Sequence, residues 1–131
     1  MLSKLVLSNV TIVIVEDDAD TRFSLTQFLH HQGANVVASA DAFDGLVAVK
    51  EHRPKLVFSD ISLPHRDGFM LLGDIRALGT DGGGGVPVIA MTAFSGIVDP
   101  SRTIAAGFQA HVNKPFGPEE LLEAIKLVLK D

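Results

Sequence analysis

Three carboxylates stand side by side at Glu16-Asp17-Asp18, directly after the apolar run Val13-Ile14-Val15. A fourth, Asp60, follows Val57-Phe58-Ser59, Thr92 closes Val88-Ile89-Ala90-Met91, and Asn113-Lys114 follow Val112. Carboxylates within a few ångströms of one another repel and raise each other's pKa unless a cation compensates. Magnesium suits that role, because it keeps several waters and takes one or two carboxylates plus a phosphate oxygen. Glu16 or Asp17 with Asp60 supplies such a partial cage. Beside a cation and Lys114, the Asp60 carboxylate has the chemistry of a nucleophile toward phosphorus. Phosphoryl transfer asks mainly for positioning and for neutralised oxygens, and Lys114 and the Thr92 hydroxyl are suited to both. Plainer readings compete. An aspartate at 60 caps a turn equally well, and acids from 16 to 20 favour the positive end of a helix. The helix role is preferred for Asp18 and Asp20, the metal for Asp17, and Glu16 stands between the two.

These residues act together only if the chain brings them together. Short runs rich in Val and Ile at Val10 to Val15, Ala34 to Ala38, Lys55 to Ser59, Val86 to Thr92 and the weaker Ala110 to Val112 read as strands. The first, third and fourth are continuously apolar, as parallel strands covered on both faces require. Between them lie helical stripes: Leu25, Phe28, Leu29 and Gln32; Leu71 or Leu72 with Ile75 and Leu78; and Leu121, Leu122, Ile125, Val128 and Leu129. Asp41 is placed to cap a helix, and Asp99-Pro100 and Gly117-Pro118 set proline at a first helical position. The order is β-α five times over, which predicts a single flavodoxin-like doubly wound α/β domain with a parallel sheet in the order 2-1-3-4-5. In such sheets ligands bind beyond the carboxyl ends of the strands, at the switch between strands 1 and 3. That edge receives Glu16, Asp17, Asp18, Asp60, Thr92, Asn113 and Lys114. The run Asp81-Gly82-Gly83-Gly84-Gly85 lies at the opposite edge, lacks the Gly-Lys-Ser/Thr of a phosphate loop, and reads as a flexible surface connection.

A chain of 131 residues suits one domain, with a core over about residues 9–130. Hydrophobic residues make up 47% and charged ones 21%, which excludes a disordered chain. A net charge of -5 argues against a general nucleic-acid surface and in favour of a cation or a basic partner. There is no cysteine, no apolar run of 18 or more residues, and no signal-peptide pattern at the start. The expectation is a soluble cytoplasmic protein that contacts neither membrane nor nucleic acid.

Four stretches carry a family resemblance: Ile14-Val15-Glu16-Asp17-Asp18, Phe58-Ser59-Asp60-Ile61-Ser62-Leu63-Pro64-His65-Arg66-Asp67-Gly68, Val88-Ile89-Ala90-Met91-Thr92-Ala93, and Val112-Asn113-Lys114-Pro115-Phe116. In this order, each at a predicted strand end, they resemble the receiver domain of two-component response regulators over essentially the whole chain. The resemblance implies a phosphorelay switch rather than an enzyme acting on other substrates. Asp60 would accept a phosphoryl group from phosphohistidine on a histidine kinase or histidine phosphotransfer protein. Glu16 and Asp17 would be the acidic pair for Mg2+, with Asp60 and the backbone carbonyl of Ser62 as further ligands. Lys114 would pair with the phosphoryl oxygens, and Thr92 would move to hydrogen-bond one of them. The Lys114-Pro115 bond is similar to one commonly cis in the family. Output would pass to a downstream protein through the face of the fourth helix, fifth strand and fifth helix, where Ile97, Val98 and Phe108 are candidate contacts. Core filling is an equal reading for Phe108.

The departures are informative. The family's switch aromatic falls here on His111, which serves equally well as a half-buried strand residue. Ser62 and Phe94 occupy positions that tune dephosphorylation in the family, and Phe94 cannot orient water by hydrogen bonding, so a long-lived phosphoryl group is expected. His30, His31, His52 and His65 read as solvated. No output segment fits in the chain, and the stretch from Ala105 to His111 leans toward receivers attached to hybrid kinases. Rival readings are a phosphohydrolase using Asp60, which would want an acid where Ser62 stands; a flavodoxin, whose phosphate the acids at 16–18 would repel; and a receiver-like module that is never phosphorylated.

Overall fold

The Val, Ile and Leu runs extend as five short strands, each followed by a helix. The structure, a computed structural model, describes residues 7–93 and 100–129. The elements are β1 Thr11–Val15, α1 Ala19–His31, β2 Asn35–Ser39, α2 Ala42–His52, β3 Leu56–Asp60, α3 Gly68–Arg76, β4 Val88–Ala93, α4 Pro100–Ala106, β5 Ala110–Lys114 and α5 Pro118–Leu129. All pairings are parallel and the sheet order is β2-β1-β3-β4-β5, the flavodoxin-like arrangement expected. Strand bounds differ from the sequence expectation by no more than two residues at either end. Asp60, Thr92, Asn113 and Lys114 lie within the last rungs of their strands rather than just beyond them. Polar residues were expected to end the strands, but parallel pairing continues through them to Asp60↔Met91, Thr92↔Asn113 and Ala93↔Lys114.

Two apolar layers sandwich the sheet. Ile12, Ile14, Leu56, Phe58, Ile89 and Met91 pack with Leu25 and Leu29 of α1 and Leu121 and Ile125 of α5. On the other face Val13, Val15, Val57, Val88 and Ala90 meet Val49 of α2 and Leu71, Leu72 and Ile75 of α3. Phe108 belongs to this second layer, 2% exposed and edge-to-face with Phe69 at a centroid distance of 5.7 Å. Core filling is therefore its role, while Ile97 and Val98 lie outside the described residues. Pleat alternation assigns chemistry as well as packing. Continuing the parity of residues 12 and 14, 56 and 58, and 110 and 112 places Glu16, Asp60 and Lys114 on the α1/α5 side, whereas Thr92, His111 and Asn113 share the α3/α4 side.

Helix starts use side-chain caps. Asp18, Asp41 and Asp67 accept the backbone N–H of Thr21, Asp44 and Met70 at 2.9, 2.8 and 2.9 Å. Gly68, the first residue of α3, is pressed onto the strand that ends in Asp60. A Cβ there would lie 2.4 Å from the Asp60 carbonyl oxygen and 2.8 Å from Ile61 Cα, and neither backbone atom yields easily. Gly68→Ala is expected to cost about 3 kcal/mol, the upper range of overpacking. Gly73→Ala on the same helix meets nothing within 4 Å and is expected to gain up to about 1 kcal/mol. Paired thermal melts check both.

The glycine-rich connection is not the flexible loop its composition implied. A 3-10 turn occupies Thr80–Gly82, and Gly83 adopts a left-handed φ of 88°. Gly84 is buried so tightly that a Cβ would meet the Ile75 carbonyl oxygen at 2.7 Å. Arg76 Nη1 donates to the carbonyls of Gly84 and Val86 at 2.8 and 2.7 Å, and Nη2 reaches Gln109 Oε1 at 3.2 Å. A guanidinium satisfying the carbonyls of Gly84 and Val86 gives this backbone partners that a surface loop finds in water.

Candidate functional site

The switch between β1 and β3 opens where the sheet's carboxyl edge gathers its polar residues. Glu16 is 0% exposed and Asp60 is 4% exposed, while Asp17 is open to solvent. One oxygen from each of Glu16, Asp17 and Asp60 lies within 4.8 Å of the other two. Lys114 bridges the buried pair. Its Nζ donates to Asp60 Oδ2 at 3.0 Å and forms an ion pair with Glu16. The other Asp60 oxygen, Oδ1, accepts the Ser62 backbone N–H at 3.1 Å. Glu16 Oε2 accepts the Asp18 N–H at 3.0 Å, so Glu16 serves both the helix entry and the acidic cluster.

Charge balance is poor: three acids face one lysine. Burial pushes the Glu16 carboxyl up to about 7, against the lowering effect of Lys114 and the Asp18 N–H, and Asp60 adds repulsion. Lys114 titrates above its ordinary value. Burial alone would lower it, but the carboxylates of Glu16 and Asp60 outweigh that. Asp18 is held below the ordinary carboxylate range by the hydroxyl and backbone N–H of Thr21, so it is a cap, as the sequence suggested.

The donor set fits magnesium. It consists of hard oxygens only, Asp17 leaves one side open to water, and Glu16 Oε1 is buried with no hydrogen bond beyond its ionic contact with Lys114. Saturating magnesium is expected to stabilise the fold by roughly 1 to 3 kcal/mol, raising the melting temperature by several degrees. Asp17→Asn, an exposed change, should remove the response without unfolding the chain. An unchanged response in that variant would show that the cluster is not the metal site.

On the other side of β4 a second polar group forms. Thr92 Oγ1 donates to Asn113 Oδ1 at 3.0 Å and stands 3.1 Å from His111 Nε2. His111 Nδ1 lies 2.9 Å from Thr103 Oγ1 of α4. The Lys114-Pro115 peptide is cis. His30, His31, His52 and His65 are all exposed, and Phe94 lies outside the described residues. Sequence reasoning missed Arg22, whose Nη1 donates to the carbonyls of Glu16 at 2.8 Å and Asp17 at 3.3 Å and so braces the acidic loop. Its place four residues after Asp18, in the first turns of α1, was the available signal.

The profile of the response regulator receiver domain matches residues 12–126. The chain belongs to the response regulator receiver family. This receiver domain is 35% identical over 120 residues to an uncharacterised 14.6 kDa protein of Leptolyngbya boryana, covering 92% of this chain and 90% of that protein. It is 33% identical to the DNA-binding response regulator MtrA of Mycolicibacterium paratuberculosis over 91% of this chain, but it spans only 51% of MtrA. In structure it resembles the receiver domain of the sensor histidine kinase PA1611 from Pseudomonas aeruginosa, solved with a magnesium ion coordinated in the active-site cleft. That match has a TM-score of 0.84 and 27% identity, and covers 95% of this chain and all of that one. Receiver domains are phosphorylatable signalling switches, and the acidic cluster that such a switch needs is present here.

Proposed function

We propose that this receiver accepts a phosphoryl group on Asp60 from a phosphohistidine of a histidine kinase or histidine phosphotransfer protein, and that uptake alters the α4-β5-α5 face toward a downstream protein. The contact of Lys114 Nζ with Asp60 Oδ2, beside the carboxylates of Glu16 and Asp17, carries this reading. A carboxylate oxygen of Asp60 bonds to phosphorus as the phosphorus–nitrogen bond breaks, and the imidazole keeps the electron pair and takes up a proton. Ser62 N–H and Lys114 orient the nucleophile. Lys114 is then within reach of the new phosphoryl oxygens, and the Thr92 hydroxyl turns to donate to one of them. Held by Glu16, Asp17, Asp60 and the Ser62 carbonyl, magnesium would neutralise charge on the transferred group. The net charge of -5 favours protein partners over nucleic acid.

Acetyl phosphate with magnesium, followed by intact-mass measurement, tests the proposal. One base-labile phosphoryl group per chain is expected, located to the peptide containing Asp60 and absent when the metal is chelated. An acid-stable modification, or one elsewhere on the chain, would overturn it.

A further inference from the structure

Arg22 stands half-buried in the first turns of α1, against the acidic loop. An arginine so placed ordinarily pairs with a carboxylate through its planar fork. Here the guanidinium forms no ion pair among the described residues. Its Nη1 donates instead to the backbone carbonyls of Glu16 at 2.8 Å and Asp17 at 3.3 Å, which holds the loop without occupying a carboxylate. The carboxylates of Glu16 and Asp60 have other partners: Lys114 meets both, the Asp18 N–H serves Glu16 and the Ser62 N–H serves Asp60. Asp17 differs from both. It lies past the last rung of the sheet, where the Glu16 N–H donates to the Ser39 carbonyl at 3.0 Å, and its only hydrogen bond among the described residues is the one from Arg22. The direction of the exposed Asp17 carboxylate is therefore set by a stretch of backbone that Arg22 holds.

We infer that Arg22 is a positioning residue for the metal site: it fixes the Asp17 carboxylate where a small octahedral ion needs it, and so favours Mg2+ over Ca2+. The inference rests on the magnesium reading of Glu16, Asp17 and Asp60 given above. Mg2+ demands near-ideal octahedral geometry at short distances, whereas Ca2+ accepts longer bonds and irregular shells. A ligand free to drift therefore harms Mg2+ binding more than Ca2+ binding. Charge acts the other way. The guanidinium is a cation near a dication, so by Coulomb repulsion alone its removal would tighten the binding of both ions, and about equally. Geometry and charge thus predict changes of opposite sign in Mg2+ affinity, and only geometry changes the ratio between the two ions.

The test titrates Mg2+ and Ca2+ separately into the full chain, as wild type, Arg22→Met, Arg22→Lys and Asp17→Asn, and follows the backbone amide shifts of residues 16–18 and 60–62. Arg22→Met should weaken Mg2+ binding roughly tenfold, as loss of a group that orients a metal ligand does, and Ca2+ binding by less. The ratio of Mg2+ to Ca2+ affinity then falls. Arg22→Lys keeps one charged donor nitrogen on a shorter stem, so its ratio should lie between those of wild type and Arg22→Met. Unchanged or tighter Mg2+ binding in Arg22→Met would overturn the inference, because charge would then govern. Equal losses for the two ions would overturn it as well, because they would report a general loosening of the fold. Should Arg22→Met fail to fold, Arg22→Lys decides alone, and a wild-type ratio there would sink the inference. Absence of any Mg2+ response in wild type, or full affinity in Asp17→Asn, would overturn the magnesium reading beneath it.

Discussion

Replacing Asp60 with asparagine is expected to abolish phosphoryl uptake completely while leaving the fold intact. The amide occupies the volume of the carboxylate, and its oxygen still accepts from Lys114 Nζ, as Asp60 Oδ2 does at 3.0 Å. The amide NH2 then faces the Ser62 N–H that Asp60 Oδ1 accepts at 3.1 Å, and this clash of donors costs on the order of 1 kcal/mol. Opposing it, one of the two buried acids is gone, and Asp60 is among the causes that push Glu16 up. The two effects are of similar size, so metal-free stability should change by no more than about 1 kcal/mol. An amide lacks the anionic oxygen that bonds to phosphorus, so uptake from acetyl phosphate falls to background rather than by a fraction. Intact mass and a thermal melt on the same sample separate the two claims. A phosphoryl signal equal to wild type would place the acceptor elsewhere. A large loss of melting temperature would mean that Asp60 is chiefly structural.

The site was legible because its parts obey two local rules. Continuous apolar runs marked the parallel strands, and the doubly wound order fixed which ends share an edge. Glu16, Asp60, Thr92 and Lys114 could therefore be placed together before any distance was known. Pleat parity refines this, separating Glu16, Asp60 and Lys114 from Thr92, His111 and Asn113. What stayed hidden depends on contacts between residues far apart in the chain. Arg76 meets Gln109 across 33 positions, and nothing local to the glycine run announces a guanidinium that orders it. Thr103 on α4 has no sequence signature that pairs it with His111. Gly68 was noted within a family stretch, yet the reason for its lack of a side chain is the approach of the Asp60 carbonyl, visible only in three dimensions.

Glu16→Gln is expected to make the metal-free protein more stable, by an amount that depends on pH. Burial raises the carboxyl from 4.5 to about 7 in the folded chain. A group with a raised folded pKa contributes stability that is fully present below the unfolded pKa and is lost as pH rises through the folded one. For Glu16 the loss runs from about pH 4.5 to about pH 7 and is complete above that window. The gap between the two values corresponds to about 3 kcal/mol at 1.36 kcal/mol per unit. Glutamine cannot ionise, so the metal-free variant should match wild type near pH 4.5 and exceed it by up to about 3 kcal/mol at pH 8. Magnesium should narrow or close that gap at pH 8, because wild type gains the binding energy of an ionised, buried ligand and the variant does not. Denaturant melts at pH 5 and pH 8, with metal and with chelator, give the four numbers required. A stability difference that is the same at both pH values would show that Glu16 is not ionising in this window. A wild type no better stabilised by magnesium than the variant would remove Glu16 from the metal site.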